Sequence, residues 1–526
     1  MTTTDGGRTA PVAGVVLAEP VGRVAGRHRR RKGHRHSAKG TGGSVDGNGA
    51  TRRHRKLPWV LGAVALLLIG GGTWVAVTRI DTPLSRPVAQ PATMAQVVVP
   101  GASPALPWPS KGQGAVAVPS IHYAAQSGPE SSVSIASLTK LTTAVVVLRD
   151  HPIPAGAEGP LVPVTAGDVA EYEDELHKDQ STVAIQVGEQ VTERQMLEAL
   201  LTQSANDIAF SLAMWDAGSI PAFVAKMNAF AVSLGTTATH YVDASGYDPR
   251  SVSSASDVLR VASAGMAIPT FAEVVAMPSV TLPLVGTLHN IVSEVGTNGV
   301  VGIKSGYTSV AGACMVLAAN RKVRNQEVLV LVAVLGQPTP PPTLPKPLPP
   351  VAPPATTTTT TTAPPPSTST DPAAPTTTTT TTAPPPPPPP PPPTTTTTSI
   401  PINDLPIADP FKFARPVTDA LLTATAAAIT PVPVATVGQV LGSVSASWGG
   451  VAHTASYATA AEAWLSGWPG QQVSSMTKFT SVAAGSPAGS RVGTALFAIG
   501  DQFVTVPLKL TQTVPEPSVW WRLAHS

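Results

Sequence analysis

With 57 prolines and only 12% charged residues among 526, much of this chain cannot be ordinary globular sequence, although its length allows two or three domains and a sizeable core. A lone cysteine, Cys314, excludes an intramolecular disulfide framework. The net charge of +3 conceals an asymmetry: residues 1–56 carry 13 Lys or Arg against Asp5, Glu19 and Asp46, a local +10 that leaves −7 for the rest.

In chain order, the basic arm "RHRRRKGHRH" would suit nucleic acid, but Leu57–Thr78 follows it, 22 residues without a charge. As a helix this stretch is about 33 Å long, enough to cross a bilayer core. Trp59 and Trp74 fall near its ends, where aromatic belts form, and the basic flank predicts residues 1–56 in the cytoplasm and everything beyond Arg79 outside. The 56-residue leader and the lack of an A-x-A site favour an uncleaved transmembrane anchor over a signal peptide. With that orientation no nucleic-acid partner is expected.

Residues 79–113, rich in Pro, Ser, Ala and Val, read as a stalk. From 114 to about 337 the pattern is globular and mixed. "GAVAV" alternates like a strand, "SLTKLTTAVVVL" has helical spacing, and Thr192 with Gln195 forms a capping box ahead of "MLEALL". "IPAFVAKMNAFAVSLG" reads as a helix closed by Gly235. "GVVGIK", "GACMVLAAN" and "EVLVLVAVLG" read as an antiparallel meander. Residues 338–400 are almost all Pro, Thr and Ala; they can bury no core and are expected to be disordered or polyproline II, reaching roughly 200 Å if fully extended.

Beyond the tract, Ala414–Ile429 is helical by pattern, with Val417, Leu421, Ala424 and Ala428 on one face. We expect it to close the first domain, making the tract an insertion, because loop closure grows only logarithmically with length. Residues 431–526 alternate like a small all-β domain. The fold class expected is therefore α/β (α+β): an antiparallel sheet with helices, a C-terminal β domain and one membrane helix.

Three short motifs carry the chemistry. Ser137 and Lys140 stand three apart at the mouth of an apolar run, so on a helix they share a face. A capped helix followed by a solvated lysine would give the same letters. Sixty-seven residues on come Ser204 and Asn206, in "TQSANDIA", and 100 after that Lys304, Ser305 and Gly306, in "GIKSGYTS". Each is weak alone; in this order, on a helix start, a helix-end loop and a strand, they reinforce one another.

With those motifs the chain resembles the serine D-alanyl-D-alanine carboxypeptidases, low-molecular-weight penicillin-binding proteins whose signatures are S-x-x-K, S-x-N and K-T-G. The similarity runs over about 114–336, through "NAFAVSLGTTATHYVDASGYD" and "SSASDVLRVA". Serine replaces threonine in the third motif, and the segment before Ser137 lacks the usual strand–turn with an acidic residue and glycine. The resemblance implies a penicillin-binding, β-lactamase-like transpeptidase fold, peptidoglycan pentapeptide stems as substrate and β-lactams as covalent inhibitors. Ser137 would be the nucleophile and Lys140, neutral through burial and the nearby Lys304, its base. Ser204 would relay a proton, Asn206 would hold Lys140 and a substrate amide, Lys304 and Ser305 would receive the terminal carboxylate, and Gly306 would leave room for the substrate backbone. By the same resemblance the N–H groups of Ser137 and Tyr307 form the oxyanion hole.

Rival readings fit less well. A class A β-lactamase needs a deacylating glutamate, and the nearest sequence is "EVGTN", Glu294–Asn298, only six residues before Lys304. His122, His151, His177, His240 and His289 show no zinc-ligand spacing, so no metal or other cofactor is expected. Cys314 reads as a small buried hydrophobe. A wall-binding protein without turnover would not be expected to keep every member of the set.

Overall fold

The computed structural model describes residues 57–81, 84–92, 96–128, 130–341 and 409–525. The arm 1–56 and the Pro/Thr tract from 342 onward lie outside the described residues. The chain divides into two units, 1–78 and 79–526.

Of the first unit, helix α1 (Leu57–Ile80, which runs two residues into the second unit) is described. Trp59–Ile80 is long and apolar enough to cross a membrane, and none of it is buried in protein. Apolar residues all round, with no polar face, are what a lipid-facing helix needs.

The second unit is built on a five-stranded antiparallel sheet. Its spatial order is Val300–Thr308, Gly312–Val323, Gln326–Gln337, Gln113–Val118, Tyr123–Gln126. The three apolar runs do form the expected meander. Alternate residues serve opposite faces: Cys314, Val316 and Ala318 join one core, while Met315, Leu317 and Ala319 join another. Both faces are covered, which explains why the runs are continuously apolar rather than alternating.

Seven helices lie in the sequence between the strands Tyr123–Gln126 and Val300–Thr308 and supply the first core: α2 (Thr139–Asp150), α3 (Ala166–His177), α4 (Glu193–Thr202), α5 (Asn206–Ala217), α6 (Ile220–Ser233), α7 (Ala255–Met266) and α8 (Pro269–Val275). The capping box of α4 is present in both directions, Thr192 with Gln195, and Thr165 with Asp168 does the same for α3. The hairpin ahead of Ser137 also exists, but it turns through Pro119–Ile121 and closes on His122 at φ 51°. Sequence reading looks for glycine at such a position; here a histidine carries it.

On the other face lies helix α9 (Ala414–Ala428), packed on the strands Gly312–Val323 and Gln326–Gln337. Its buried residues are Ala414, Thr418, Leu421, Leu422, Thr425 and Ala428, a face rotated from the expected one, with Val417 and Ala424 at its margin. The threonines can be buried because each hydroxyl donates to the carbonyl four residues back, Ala414 and Leu421, at 2.7 Å. Arg415 ties α9 to the sheet-side loop through Glu294 at 2.8 Å.

The same core continues into a second, six-stranded antiparallel sheet formed by Val88–Pro91, Val440–Trp448, Val451–Thr459, Gln502–Leu510, Arg491–Ile499 and Ser474–Phe479, in that spatial order. Part of the expected stalk is thus structural. Val88–Pro91 pairs with Val440–Trp448, and Val99, 1% exposed, exchanges hydrogen bonds with Gln471 and Gly470. A four-residue strand ending in proline gives little period-2 signal, yet an open sheet edge readily accepts it. The short helix α10 (Val519–His525) ends the described chain.

Candidate active site

Ser137 sits in a single 3-10 turn, Ala136–Leu138, that leads into α2. The turn is held from outside. A Cβ on Gly246 (φ +81°) would lie 1.9 Å from the Ala136 carbonyl oxygen and 2.5 Å from Thr139 Oγ1, so only glycine fits. Lys140, in the first turn of α2, is fully buried. Its Nζ lies 3.0 Å from Ser137 Oγ, 2.5 Å from Asn206 Oδ1 and 2.9 Å from the Ser245 carbonyl oxygen. Burial pulls this amine down to about 7, against the opposing pull of Asp243, Glu175 and Asp207.

Asn206 opens α5, and its Nδ2 donates to Gln180 Oε1 at 2.5 Å. Ser204, two residues earlier, is 5% exposed and held at φ 63°, a strained conformation of the kind that gathers at functional sites.

The third motif lies on Val300–Thr308, the edge strand of the five-stranded sheet. A Cβ on Gly306 would come 2.7 Å from Ser137 N and 3.2 Å from Leu138 N. The clearance at Gly306, expected to serve the substrate, first brings the strand against the backbone of Ser137. Lys304 is 1% exposed, donates to the Ser305 carbonyl at 3.1 Å, and is driven well below the usual lysine range by burial and then by Lys140. Ser305 Oγ is buried with no hydrogen-bond partner among the described residues. Tyr307 is half-buried, and its hydroxyl meets Thr339.

Hydrogen bonds therefore join Ser137, Lys140 and Asn206 directly, while Gly306 touches the Ser137 backbone and Lys304 lies within electrostatic reach of Lys140. Glu294, the rival's base, is ion-paired with Arg415 of α9. Cys314 is fully buried, its thiol pushed up to about 12.

Other members of the site were not found from the sequence. Asp243 Oδ2 accepts from Gly246 N and Tyr247 N at 2.9 Å, Asp248 N at 3.2 Å and Ser245 Oγ at 3.0 Å, while Oδ1 takes Ser251 Oγ. One carboxylate thereby fixes the turn whose Ser245 carbonyl holds Lys140. The Asp-x-Ser-Gly spacing was a usable signal of an Asx-type turn. Glu175 and Asp207 left no such trace; burial raises them to about 8 and about 7.

The sequence profile described as D-alanyl-D-alanine carboxypeptidase matches residues 122–339. A D-alanyl-D-alanine carboxypeptidase of a Streptomyces species is 31% identical over 206 residues, covering 36% of this chain and 68% of that protein. This chain belongs to the D-alanyl-D-alanine carboxypeptidase family. Another family carboxypeptidase, from Mycobacterium tuberculosis, is 36% identical over 181 residues (33% of this chain, 60% of that one). A D-alanyl-D-alanine endopeptidase of Pseudomonas aeruginosa is 34% identical over 212 (38% and 64%). The chain spans less than two thirds of the length of these last two relatives.

Proposed function

We propose that the protein is a serine D-alanyl-D-alanine carboxypeptidase acting on peptidoglycan stem peptides through an acyl-serine intermediate, and that penicillin acylates the same serine. The observation that carries this reading is the setting of Lys140. It is buried beside Ser137, and its other hydrogen-bond partners among the described residues are an amide oxygen and a peptide carbonyl. A neutral amine donates to those two and turns its lone pair to the serine hydroxyl.

In this scheme Ser137 Oγ attacks the carbonyl of the penultimate D-alanine as its proton passes to Lys140. The N–H groups of Ser137 and Tyr307 hold the oxyanion. Lys304 and Ser305, whose hydroxyl has no partner among the described residues, receive the terminal carboxylate, and the open edge of the Val300–Thr308 strand accepts the substrate backbone. The C–N bond breaks as the proton, relayed through Ser204, reaches the leaving amine. Water, deprotonated by Lys140, then cleaves the ester, releasing the shortened peptide and restoring Ser137. A β-lactam offers no amine that can depart, so its adduct persists.

The anchor reading makes α1 a membrane span, with the basic arm cytoplasmic and the catalytic unit outside. The catalytic domain comprises 114–337 plus helix α9, so that the Pro/Thr tract is an insertion and 431–526 a second domain. Replacing 338–400 by a short Gly-Ser turn should preserve penicillin binding, whereas truncation at 337 should not; equal behaviour of the two would detach α9 from the catalytic domain. For the activity, intact-mass measurement after penicillin should give one adduct in the wild type and none in Ser137→Ala. A pentapeptide stem should lose one D-alanine. An adduct on Ser137→Ala would overturn the scheme.

A further inference from the structure

Helix α3 ends in a turn that carries the chain into the active site. His177 is its last residue, Lys178 caps it, and Asp179 takes the left-handed conformation at φ 51°. Asp179 N donates to the Leu176 carbonyl at 3.2 Å and Gln180 N to the Glu175 carbonyl at 3.0 Å, the paired bonds of a Schellman motif. One residue on, the Ser181 carbonyl accepts from Asn206 N at 2.7 Å. Gln180 is thus fixed from both sides, by the end of α3 and the start of α5, and its Oε1 accepts from Asn206 Nδ2 at 2.5 Å.

That bond decides which end of the Asn206 amide meets Lys140. The two ends have nearly the same shape, so hydrogen-bond partners rather than packing choose between them. With Oδ1 inward, 2.5 Å from Lys140 Nζ, a neutral amine directs its two N–H groups to Asn206 Oδ1 and the Ser245 carbonyl and keeps its lone pair for Ser137. With the amide turned over, Nδ2 would donate into that lone pair, and the Ser137 proton would have no acceptor. An ammonium has only donors, so it accepts the oxygen-inward arrangement alone.

We propose that Gln180 is a positioning residue for the proton transfer from Ser137: by accepting from Nδ2 it holds the Asn206 amide with its oxygen towards Lys140. The proposal rests on the carboxypeptidase reading above, in which Lys140 is the base, and it has a distinctive pH signature. Without the Gln180 acceptor, the turned-over amide dilutes the neutral form of Lys140 and leaves the ammonium form untouched. Acylation then matches the wild type at low pH, where ammonium dominates, and falls short on the alkaline plateau by the fraction turned over. The midpoint moves to lower pH by the logarithm of the same factor. The charges within reach of Lys140 are Asp243 of the neighbouring turn, Glu175 of α3, Asp207 of α5 and Lys304 of the edge strand, and Gln180→Leu leaves all four in place.

The test measures acylation of the full-length protein in detergent by a fluorescent penicillin from pH 5.5 to 9. Gln180→Leu, similar in size but without an acceptor, should lose about tenfold on the plateau, with its midpoint about one pH unit below that of the wild type and the low-pH limbs superimposed. Gln180→Glu keeps an acceptor oxygen and should recover the plateau to within about threefold, its midpoint moved to higher pH by the added charge. A loss of equal size at every pH would make Gln180 structural and overturn the proposal, as would an unchanged profile. The ¹³Cε signal of Lys140, titrated in Ser137→Ala with and without Gln180→Leu, reads the same shift without acylation. An acid shift there, with no penicillin adduct on the protein that retains Ser137, would sink the carboxypeptidase reading and leave the role of Gln180 standing; no shift sinks that role.

Discussion

The most direct test of the site geometry is Gly306→Ala. The new Cβ would sit 2.7 Å from Ser137 N and 3.2 Å from both Leu138 N and Ser137 Cα, where ordinary contact begins near 3.4 Å. All three neighbours are backbone atoms, at the start of a helix whose next turn is buried, so no side chain can swing aside. The strand or the Ser137 turn must therefore move by about 0.7 Å. That displacement separates the two proposed oxyanion donors, which lie on those two elements. Losing one such donor costs about 10²–10³ in rate, and a misplacement near 1 Å costs about 10². Overpacking itself should cost about 1–3 kcal/mol of stability. We expect the second-order rate of acylation by a fluorescent penicillin to fall about a hundredfold, with a Tm only a few degrees lower. If the variant acylates within threefold of the wild type while its Tm still drops, the glycine serves packing alone and the oxyanion assignment fails.

Other outcomes follow from the same geometry. Because Lys140 is brought down to about 7, the proposed role of its neutral amine requires penicillin acylation to rise with pH through about 7 and then level off; a rate flat from pH 5.5 to 8.5 would exclude it as the base. Lys304→Ala should lose more, by at least about tenfold, on carboxylate-bearing substrates than on a matched amide lacking the carboxylate, and equal losses would make Lys304 structural. Glu193, fully buried with neither oxygen hydrogen-bonded among the described residues, is raised to about 7 by burial. A raised carboxyl favours the fold below its unfolded pKa and loses that contribution as pH climbs through about 7, so Glu193→Gln should stabilise by on the order of 2 kcal/mol at pH 8 and much less at pH 5. Thermal melts at the two pH values that gave equal shifts would contradict this. Asp243→Asn turns an NH₂ towards backbone donors and should lower both Tm and acylation, the latter by about tenfold or more; normal acylation would show that Lys140 needs no help from that turn.

What the sequence disclosed and what it hid divide along physical lines. Ser137 and Lys140 are three apart on one turn, and Lys304, Ser305 and Gly306 are consecutive, so local spacing was enough to find them. The continuous apolar runs announced a sheet buried on both faces. Glu175 reaches the site only because α3 packs against α5, and a surface-looking "YEDELHKD" carries no hint of that tertiary fact. Burial on α9 was misjudged for a related reason. The apolar pattern of Val417, Leu421, Ala424 and Ala428 leaves out Thr418 and Thr425, whose hydroxyls, satisfied within their own helix, let them line the core. The Val88–Pro91 strand escaped notice because its edge position is a property of a partner some 350 residues away.

The treatment of Lys140 ties fold to chemistry. Lowering an amine from 10.5 to about 7 means burying it at a penalty of about 5 kcal/mol, a large share of a domain's net stability. An adjacent carboxylate would remove most of that penalty, but it would also keep the amine protonated and unable to take the serine's proton. The chain avoids this choice by giving Lys140 neutral acceptors, the Asn206 amide and the Ser245 carbonyl, and by holding its carboxylates one layer back. Asp243 is kept there by the turn's N–H groups, Asp207 by Val183 N, and Glu175 by α3. From that distance Asp243 above all favours the ammonium that the proposed proton transfer would form, without outweighing the burial that lowers Lys140 in the resting state. The cost then falls on the scaffold, and the sheet packed on both faces, with α9 closing the far side, supplies the rigidity that keeps the Ser137 turn in place.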